Sequence, residues 1–348
     1  MFLRNVWYVA GFSADLRPRE RVGRKILGEP VVLFRTAGGT LGALEDRCCH
    51  RAMPLSEGHV DGEIIRCCYH GLEFNTAGGC TRVPGQDRVP RQAAVRSYPV
   101  VELDAVIWIW MGDASKADPT QVPRHPWHDS SKWSWRGVYY HLDAGWELLI
   151  DNLMDLTHLA YVHAGTIGGN AELHFRTQTH ALREGSKVKV TRHMPNSIPP
   201  RTYIDAAGFD GPIDRWQEVE FEPMVVRVNT GASGAGRGAL QGDRDGAFSM
   251  VVLHGVTPET EKSTHYIWSI ATNATIAPAV AATVFDQVAV TIKEDQAVLE
   301  AQQRCIDASP GGRFVDIPGD IASNQTRRLL RALLEAERQP AESALLRS

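Results

Sequence analysis

Hydrophobic positions in the first hundred or so residues fall in short runs separated by turn residues. VVLFR (31–35), the turn TAGG and TLGALED (40–46) form the pattern of a β-hairpin. SYPVVEL (97–103) and AVIWIW (105–110) predict two more strands. The next stretch, MGDASKADPTQVPRHPWHDSSK (111–132), is rich in Pro, Asp and Ser and marks a domain boundary. Beyond it the period changes. In GWELLIDNLMDLTHLAYVH (145–163), Leu149, Leu153, Leu156 and Ala160 recur at helical spacing. Strand-like runs follow at 187–193, 218–230, 248–257 and 265–272. The Gly-rich segment 231–247 reads as a mobile loop. Residues 279–305 and 320–338 read as helices, and the end of the chain as a frayed tail.

Composition narrows the choices. The chain has 348 residues and is 43% hydrophobic, enough for two cores. Its formal charge is −4 and it has no basic run, which argues against a nucleic-acid partner. Apolar stretches such as AVIWIWM (105–111) are too short to span a bilayer, and the start lacks the pattern of a signal peptide. A cytoplasmic setting is expected, where a Cys/His cluster points to metal or catalysis more readily than to disulfides.

Two constellations carry the candidate chemistry. The first is Cys48-x-His50, sixteen residues, then Cys67-x-x-His70. Zinc held by two thiolates and two imidazoles is one reading. A Rieske 2Fe-2S centre, with two Cys on one iron and two His on the other, is a second. Cysteines acting only as small buried hydrophobes are the plain alternative. Each motif supplies one Cys and one His, so each loop would reach both irons of a cluster; this favours the Rieske centre.

The second constellation is DNLMDLTHLAYVH (151–163). Asn152, Asp155 and His158 share one face of the predicted helix. His163 joins His158 at one metal only if the helix ends or bends, for which Ala164-Gly165 is the expected place. Two His and a carboxylate form the facial triad of non-haem Fe(II) oxygenases. Asp155 is a local candidate for the carboxylate. Asp295 is a distant one, set among Thr291, Ile292, Val298 and Leu299 on a largely apolar helical face, where an unpaired charge is costly. Glu294 is its rival.

With these motifs in view, the chain resembles the oxygenase component of the Rieske non-haem iron monooxygenases, in particular the vanillate O-demethylase, dicamba O-demethylase and toluenesulfonate methyl-monooxygenase group. The resemblance rests on MFLRNVWYVA, RCCHRAMPLS, RCCYHGLEFN, IWIWMGD, DNLMDLTHLAYVH, DRWQ, VTPETE and KEDQAVLEAQ, in that order. It implies an α+β chain, with an N-terminal antiparallel β Rieske domain (1–115) and a C-terminal helix-grip catalytic domain with an antiparallel sheet (116–340), then a tail (341–348). It implies that Cys48, His50, Cys67 and His70 hold a 2Fe-2S cluster, and that His158, His163 and Asp295 hold a mononuclear Fe(II). Asp155 would link the iron site of one subunit to the cluster of the next in a head-to-tail homotrimer, with Asn152 beside the iron as a non-ligand. The family usually has Pro where this chain has Cys49 and Cys68; both are expected to be free thiols and non-ligands.

The resemblance also implies a function. A separate NAD(P)H-dependent flavin/ferredoxin-type reductase would supply electrons, and one atom of O2 would enter a small aromatic substrate. The expected reaction is hydroxylation of a methoxy group, the O-demethylation of a vanillate-like methoxybenzoate. Methyl hydroxylation of a toluenesulfonate- or toluate-like substrate is the alternative, and a Rieske electron-transfer protein is the reading from another class. GAGRGA (234–239) fits a loose dinucleotide fingerprint but no helical pattern follows it, so the nucleotide is assigned to the partner. Asn229 and His254 resemble pocket residues by position. Arg227, alternating with Asn229, is a candidate partner for a carboxylate or sulfonate.

Overall fold

The computed structural model describes residues 1–273 and 276–345, with side chains through residue 338. The chain forms two compact units, one made of Met1–Arg124 with Thr257–Glu261 and the other of the remainder. The break at Arg124 falls inside the Pro-rich segment.

The first unit is built of short antiparallel strands. They are β1 (Trp7–Phe12), β2 (Arg21–Ile26), β3 (Glu29–Arg35), β4 (Leu41–Glu45), β5 (His59–Asp61), β6 (Ile64–Arg66), β7 (Glu73–Phe74), β8 (Cys80–Arg82), β9 (Val100–Leu103) and β10 (Val106–Trp110). They form three sheets, ordered β1-β10-β9, β2-β3-β4 and β5-β6-β7-β8. The hairpin read from VVLFR and TLGALED is β3–β4, with Val31 opposite Glu45 and Arg35 opposite Leu41. Its turn is closed by the Thr36 N–H donating to Thr40 O (2.9 Å) and the Thr40 N–H donating to Thr36 Oγ1 (3.0 Å). Val32, Phe34, Leu44, Leu55, Ile65 and Phe74 form one apolar cluster, and Cys48 and Cys67 are part of it. The core of these two sheets therefore sits directly beneath the loops that carry the first constellation.

The second unit holds β11 (Trp133–Leu142), α1 (Trp146–Met154), α2 (Leu159–Val162), α3 (Ala171–Arg176), β12 (His180–Glu184), β13 (Lys187–Ser197), α4 (Arg201–Ala207), β14 (Ile213–Glu222), β15 (Val225–Gly234), β16 (Phe248–Thr260), β17 (Ser263–Asn273), α5 (Pro278–Ala308) and α6 (Ile321–Leu345). The end of β16 and the turn after it belong to the first unit. The seven strands form a single sheet, β11-β17-β16-β15-β14-β13-β12. Helix α5 packs against α1, α4 and β11, and α1 also packs against α6. The buried stripe of α5 runs through Val288, Thr291, Ile292, Asp295, Leu299 and Gln303, at the three- and four-residue spacing of one helix face. That places a carboxylate in the middle of an apolar face.

Four expectations change. The run 218–230 is two strands, split by a tight turn at Pro223 and Met224, whose φ is 68°. The helix expected over 145–163 breaks before His158. Asp155 is extended (φ −95°, ψ 121°), and its carboxylate accepts from the Thr157 N–H (2.6 Å) and Oγ1–H (2.7 Å). This local bond competes with continued helix. The Gly-rich segment is tied down: Gly231–Gly234 end β15, Asp214 accepts from the Gly236 N–H (2.8 Å), and Arg244 pairs with Glu218. Last, α6 runs to Leu345, beyond the expected end at 338, and residues 346–348 of the expected tail lie outside the described residues. Among the described residues, no helix is long and apolar enough to cross a membrane.

Gly231 is required by packing. A Cβ there would lie 2.2 Å from Phe248 O and 2.3 Å from the Trp216 ring, and Trp216 is fully buried. Gly231→Ala should therefore destabilise the second unit by about 1–3 kcal/mol, the usual cost of overpacking. Urea unfolding followed by tryptophan fluorescence would measure it, and an unchanged midpoint would refute this packing argument.

Candidate functional site

Two turns of the same construction carry the first constellation. After β4, the Cys48 N–H donates to Met53 O (2.8 Å) and the Ala52 N–H to Cys48 O (3.0 Å). After β6, the Cys67 N–H donates to Leu72 O (2.8 Å) and the Gly71 N–H to Cys67 O (3.1 Å). Each turn has a positive φ four residues after its cysteine, 56° at Ala52 and 72° at Gly71. Glycine adopts this readily, whereas Ala52 does so at a cost. The matching turns place Cys48 and Cys67 in the core, each 2% exposed, while Cys49 and Cys68 are exposed. His50 and His70 lie on the surface with ring centroids 4.4 Å apart. All six cysteines are free. Burial, with the neighbouring Cys67 adding to it, pushes the Cys48 thiol up to about 11. Two buried sulfurs beneath two surface imidazoles suit a group that takes thiolate on its inner side and imidazole on its outer side.

The second constellation is assembled by α5 and the broken helix. His158 caps the N-terminus of α2 and His163 its C-terminus, so one helical turn separates them. The helix ends at His163, with Ala164-Gly165 in the turn directly after it, as the spacing required; a second break, which the periodicity did not show, precedes His158. Both Nε2 atoms face the buried Asp295, at 3.5 Å for His158 and 3.1 Å for His163. Ligand atoms of His158, His163 and Asp295 all lie within 4.8 Å of one another. His163 is fully buried, yet its Nε2 makes no hydrogen bond. An orphaned ring nitrogen facing a carboxylate fits a divalent metal between them.

The surrounding groups orient these three. Asn152 donates to Asp295 Oδ1 (3.0 Å). Glu294 is 2.7 Å from His163 Nδ1, where it holds that nitrogen as the protonated one and leaves Nε2 for a metal. Sequence reasoning weighed Glu294 only as a rival ligand; adjacency to Asp295 was the available signal for this role. Burial alone would push His163 down, but the Asp295 and Glu294 carboxylates beside it raise it above its ordinary value. Asp155 lies off the triad, with Oδ2 3.7 Å from His158 Nδ1. Burial pushes its pKa up, but the hydrogen bonds of His158 and Thr157 more than offset this and hold it low.

A cavity opens beside this centre, walled by Leu153, Leu156, Val228, Met250, Val252 and Ile292. His254 lines it, and its Nδ1 is hydrogen-bonded to the Tyr266 hydroxyl. Asn229 and Arg227 do not line it. Side chains alternate along a strand, and Val226 and Val228 stand opposite His254 and Val252, on the cavity face. Arg227 and Asn229, opposite Leu253 and Val251, point to the other side. There Asn229 accepts from Trp216 Nε1 (3.2 Å) and Arg227 pairs with Glu220 (2.8 Å). The same alternation puts Arg215 and Gln217, both buried, into the cavity wall. Sequence reasoning missed them, although DRWQ carries both.

Comparison with known proteins gives this arrangement its family. Residues 6–99 match the Rieske [2Fe-2S] domain, and residues 142–336 match the vanillate O-demethylase oxygenase C-terminal domain. The chain belongs to the oxygenase components of the Rieske non-haem iron monooxygenases. It is 38% identical to the iron-sulfur subunit of the toluene-4-sulfonate monooxygenase system of Comamonas testosteroni, over 97% of this chain and 98% of that one. It is 36% identical to a vanillate O-demethylase oxygenase subunit of a Pseudomonas strain, over 99% of each. The crystal structure of dicamba monooxygenase bound to dicamba superposes with a TM-score of 0.88, at 32% identity, over 97% of this chain and 99% of that one. The oxygenase thus uses a Rieske cluster and a non-haem iron, and depends on a separate reductase for electrons.

Burial makes two of its histidines sensitive to acid. It pushes His254 down to about 3 and His174 down to about 4, against an ordinary value of 6.5. The unfolded chain therefore binds protons below pH 6.5 that the folded chain refuses, and stability falls as pH drops from there toward 4. Each histidine should contribute a slope approaching about 1.4 kcal/mol per pH unit. His174→Gln should have a shallower loss of stability than the parent protein between pH 7 and 5, read from urea midpoints. Equal slopes would contradict the assignment.

Proposed function

We propose that this chain is the terminal oxygenase of a system that hydroxylates the methyl or methoxy carbon of an aromatic acid. The observation that carries the reading is the convergence of His158, His163 and Asp295 within 4.8 Å beside a cavity with apolar walls. In this reading Cys48 and Cys67 hold one iron of the cluster, and His50 and His70 hold the other. His158, His163 and Asp295 hold the mononuclear iron, which when bound supplies the activation of O2.

The chain's own residues do the rest. Asn152 holds the Asp295 carboxylate in place, and Glu294 fixes the His163 tautomer. The apolar wall seats an aromatic ring and keeps water from its methyl carbon. His254, neutral and tied to Tyr266, shapes one side of the cavity. Oxygen insertion at a methoxy carbon gives a hemiacetal that collapses to a phenol and formaldehyde. At a ring methyl it gives a benzylic alcohol. In this reading Asp155, ionised and only partly buried beside His158, meets His70 of a neighbouring protomer in a head-to-tail homotrimer. The reading includes a cytoplasmic location, where thiols stay reduced. It assigns the cluster domain to residues 1–115 and the catalytic domain to 116–340.

The reading is tested by supplying the oxygenase with a generic reductase and a panel of methoxylated and methylated benzoates and benzenesulfonates. Formaldehyde release marks demethylation and a benzylic alcohol marks methyl hydroxylation. No aromatic-dependent product from any member would sink the proposal. Asp295→Ala should reduce the iron content from about three to about two per chain and leave the visible spectrum of the cluster unchanged. Loss of that spectrum would mean that Asp295 serves the cluster. Asp155→Asn should keep all the iron and lose at least about a hundredfold in turnover, by the logic of a removed positioning charge. Ordinary turnover in that variant would remove Asp155 from the route of electrons.

A further inference from the structure

The inner face of the sheet buries two guanidinium groups, neither of them in a direct ion pair. Arg192 is fully buried and Arg215 is 2% exposed. Met194 stands opposite Arg215 and Arg192 opposite Gln217, so the two arginines are diagonal neighbours on the cavity face. Neither is within ion-pair distance of a carboxylate among the described residues. Arg192 is held by the backbone, donating to Leu156 O (2.9 Å) and to His174 O; its Nε also lacks a partner, but it does not line the cavity. Arg215 is held by less. It makes one hydrogen bond, to Ile167 O (3.1 Å), lies over the Tyr203 ring at 4.7 Å, and leaves Nε without a partner. It also lines the cavity beside the metal triad.

A buried cation without an anion is costly, and a guanidinium is the side chain best shaped to meet an oxyanion with two parallel hydrogen bonds. Gln217, next to Arg215 on the same face, presents a buried amide oxygen that also has no partner. We infer that Arg215 binds the anionic substituent, carboxylate or sulfonate, of the aromatic substrate, and that Gln217 accepts a hydrogen bond from a neighbouring ring hydroxyl. Arg227, the candidate drawn from sequence, lies on the opposite face and is neutralised by Glu220 and Glu222.

This inference rests on the aromatic-acid reading above and adds the residue that selects for the acid. The test uses the iron-loaded oxygenase without reductase, under anaerobic conditions. Calorimetry compares 4-methoxybenzoate, 4-methylbenzenesulfonate and the neutral 4-methoxybenzamide. The wild-type protein should bind at least one of the anions about tenfold or more tighter than the amide, and the better anion identifies the substituent. Arg215→Gln should weaken that anion by about tenfold to a hundredfold and change the amide by less than about threefold. Equal losses for anion and amide, or no loss for either, would overturn the role of Arg215. Should Arg215→Gln fail to retain iron, Arg215→Lys decides. It keeps the charge and loses the fork, so it should weaken the anion and spare the amide, and equal losses again overturn the role. An enzyme that turns over these acids while Arg215→Gln binds them normally overturns this inference alone. An enzyme that neither binds nor oxidises any of the panel overturns the aromatic-acid reading with it.

Discussion

A carboxylate cannot be buried among leucines and isoleucines unless something balances its charge. Asp295 sits on the apolar stripe of α5, 5% exposed, and the rest of the catalytic unit is arranged around that one unfavourable position. Asn152 reaches it from α1, and His158 and His163 reach it from the two ends of α2. Glu294 then steadies His163 from the far side. With a metal between the two imidazoles and the carboxylate, the costs of burying them are offset together; without one, His163 keeps an orphaned nitrogen. The break in the helix serves the same end. Asp155 and Thr157 trade helical hydrogen bonds for a local one, and this turns His158 toward Asp295.

The cluster loops solve a related problem in the other unit. Their two turns repeat one pattern of backbone bonds, so two thiols enter a single apolar core and two imidazoles remain outside it. The two histidines stay exposed, while the two sulfurs are kept from water. The doubled cysteines divide in the same way, since Cys48 and Cys67 are buried and Cys49 and Cys68 are exposed. Adjacent residues at a tight turn point in opposite directions, and this alone separates the inner pair from the outer one.

Between the metal triad and the sheet, polarity is decided by strand alternation. One face of β14 and β15 carries Arg215, Gln217, Val228 and Thr230 toward the cavity. The other carries Glu218, Glu220, Arg227 and Asn229, which pair among themselves and with neighbouring groups. A shift of a single residue exchanges the two sets. The choice between Arg227 and Arg215 as the cavity's cation is therefore a question of register.

Much was legible from the residues alone. The Cys/His spacings, the apolar setting of Asp295 and the β3–β4 hairpin each follow from local pattern, because they depend on contacts or periodicities within a few residues. The run 145–163 was legible as helix but not as a broken one, since periodicity counts apolar positions and is blind to the carboxylate of Asp155 bonding Thr157. The role of Glu294 and the facing of Arg215, Gln217, Arg227 and Asn229 were decided only by tertiary structure. They depend on which strand lies opposite which, and on a helix more than a hundred residues away in the chain meeting α2. Sequence by itself determined which atoms could bind metal; the packing of α5 against α1 and the register of the sheet decided which of them meet, and which cation faces the cavity.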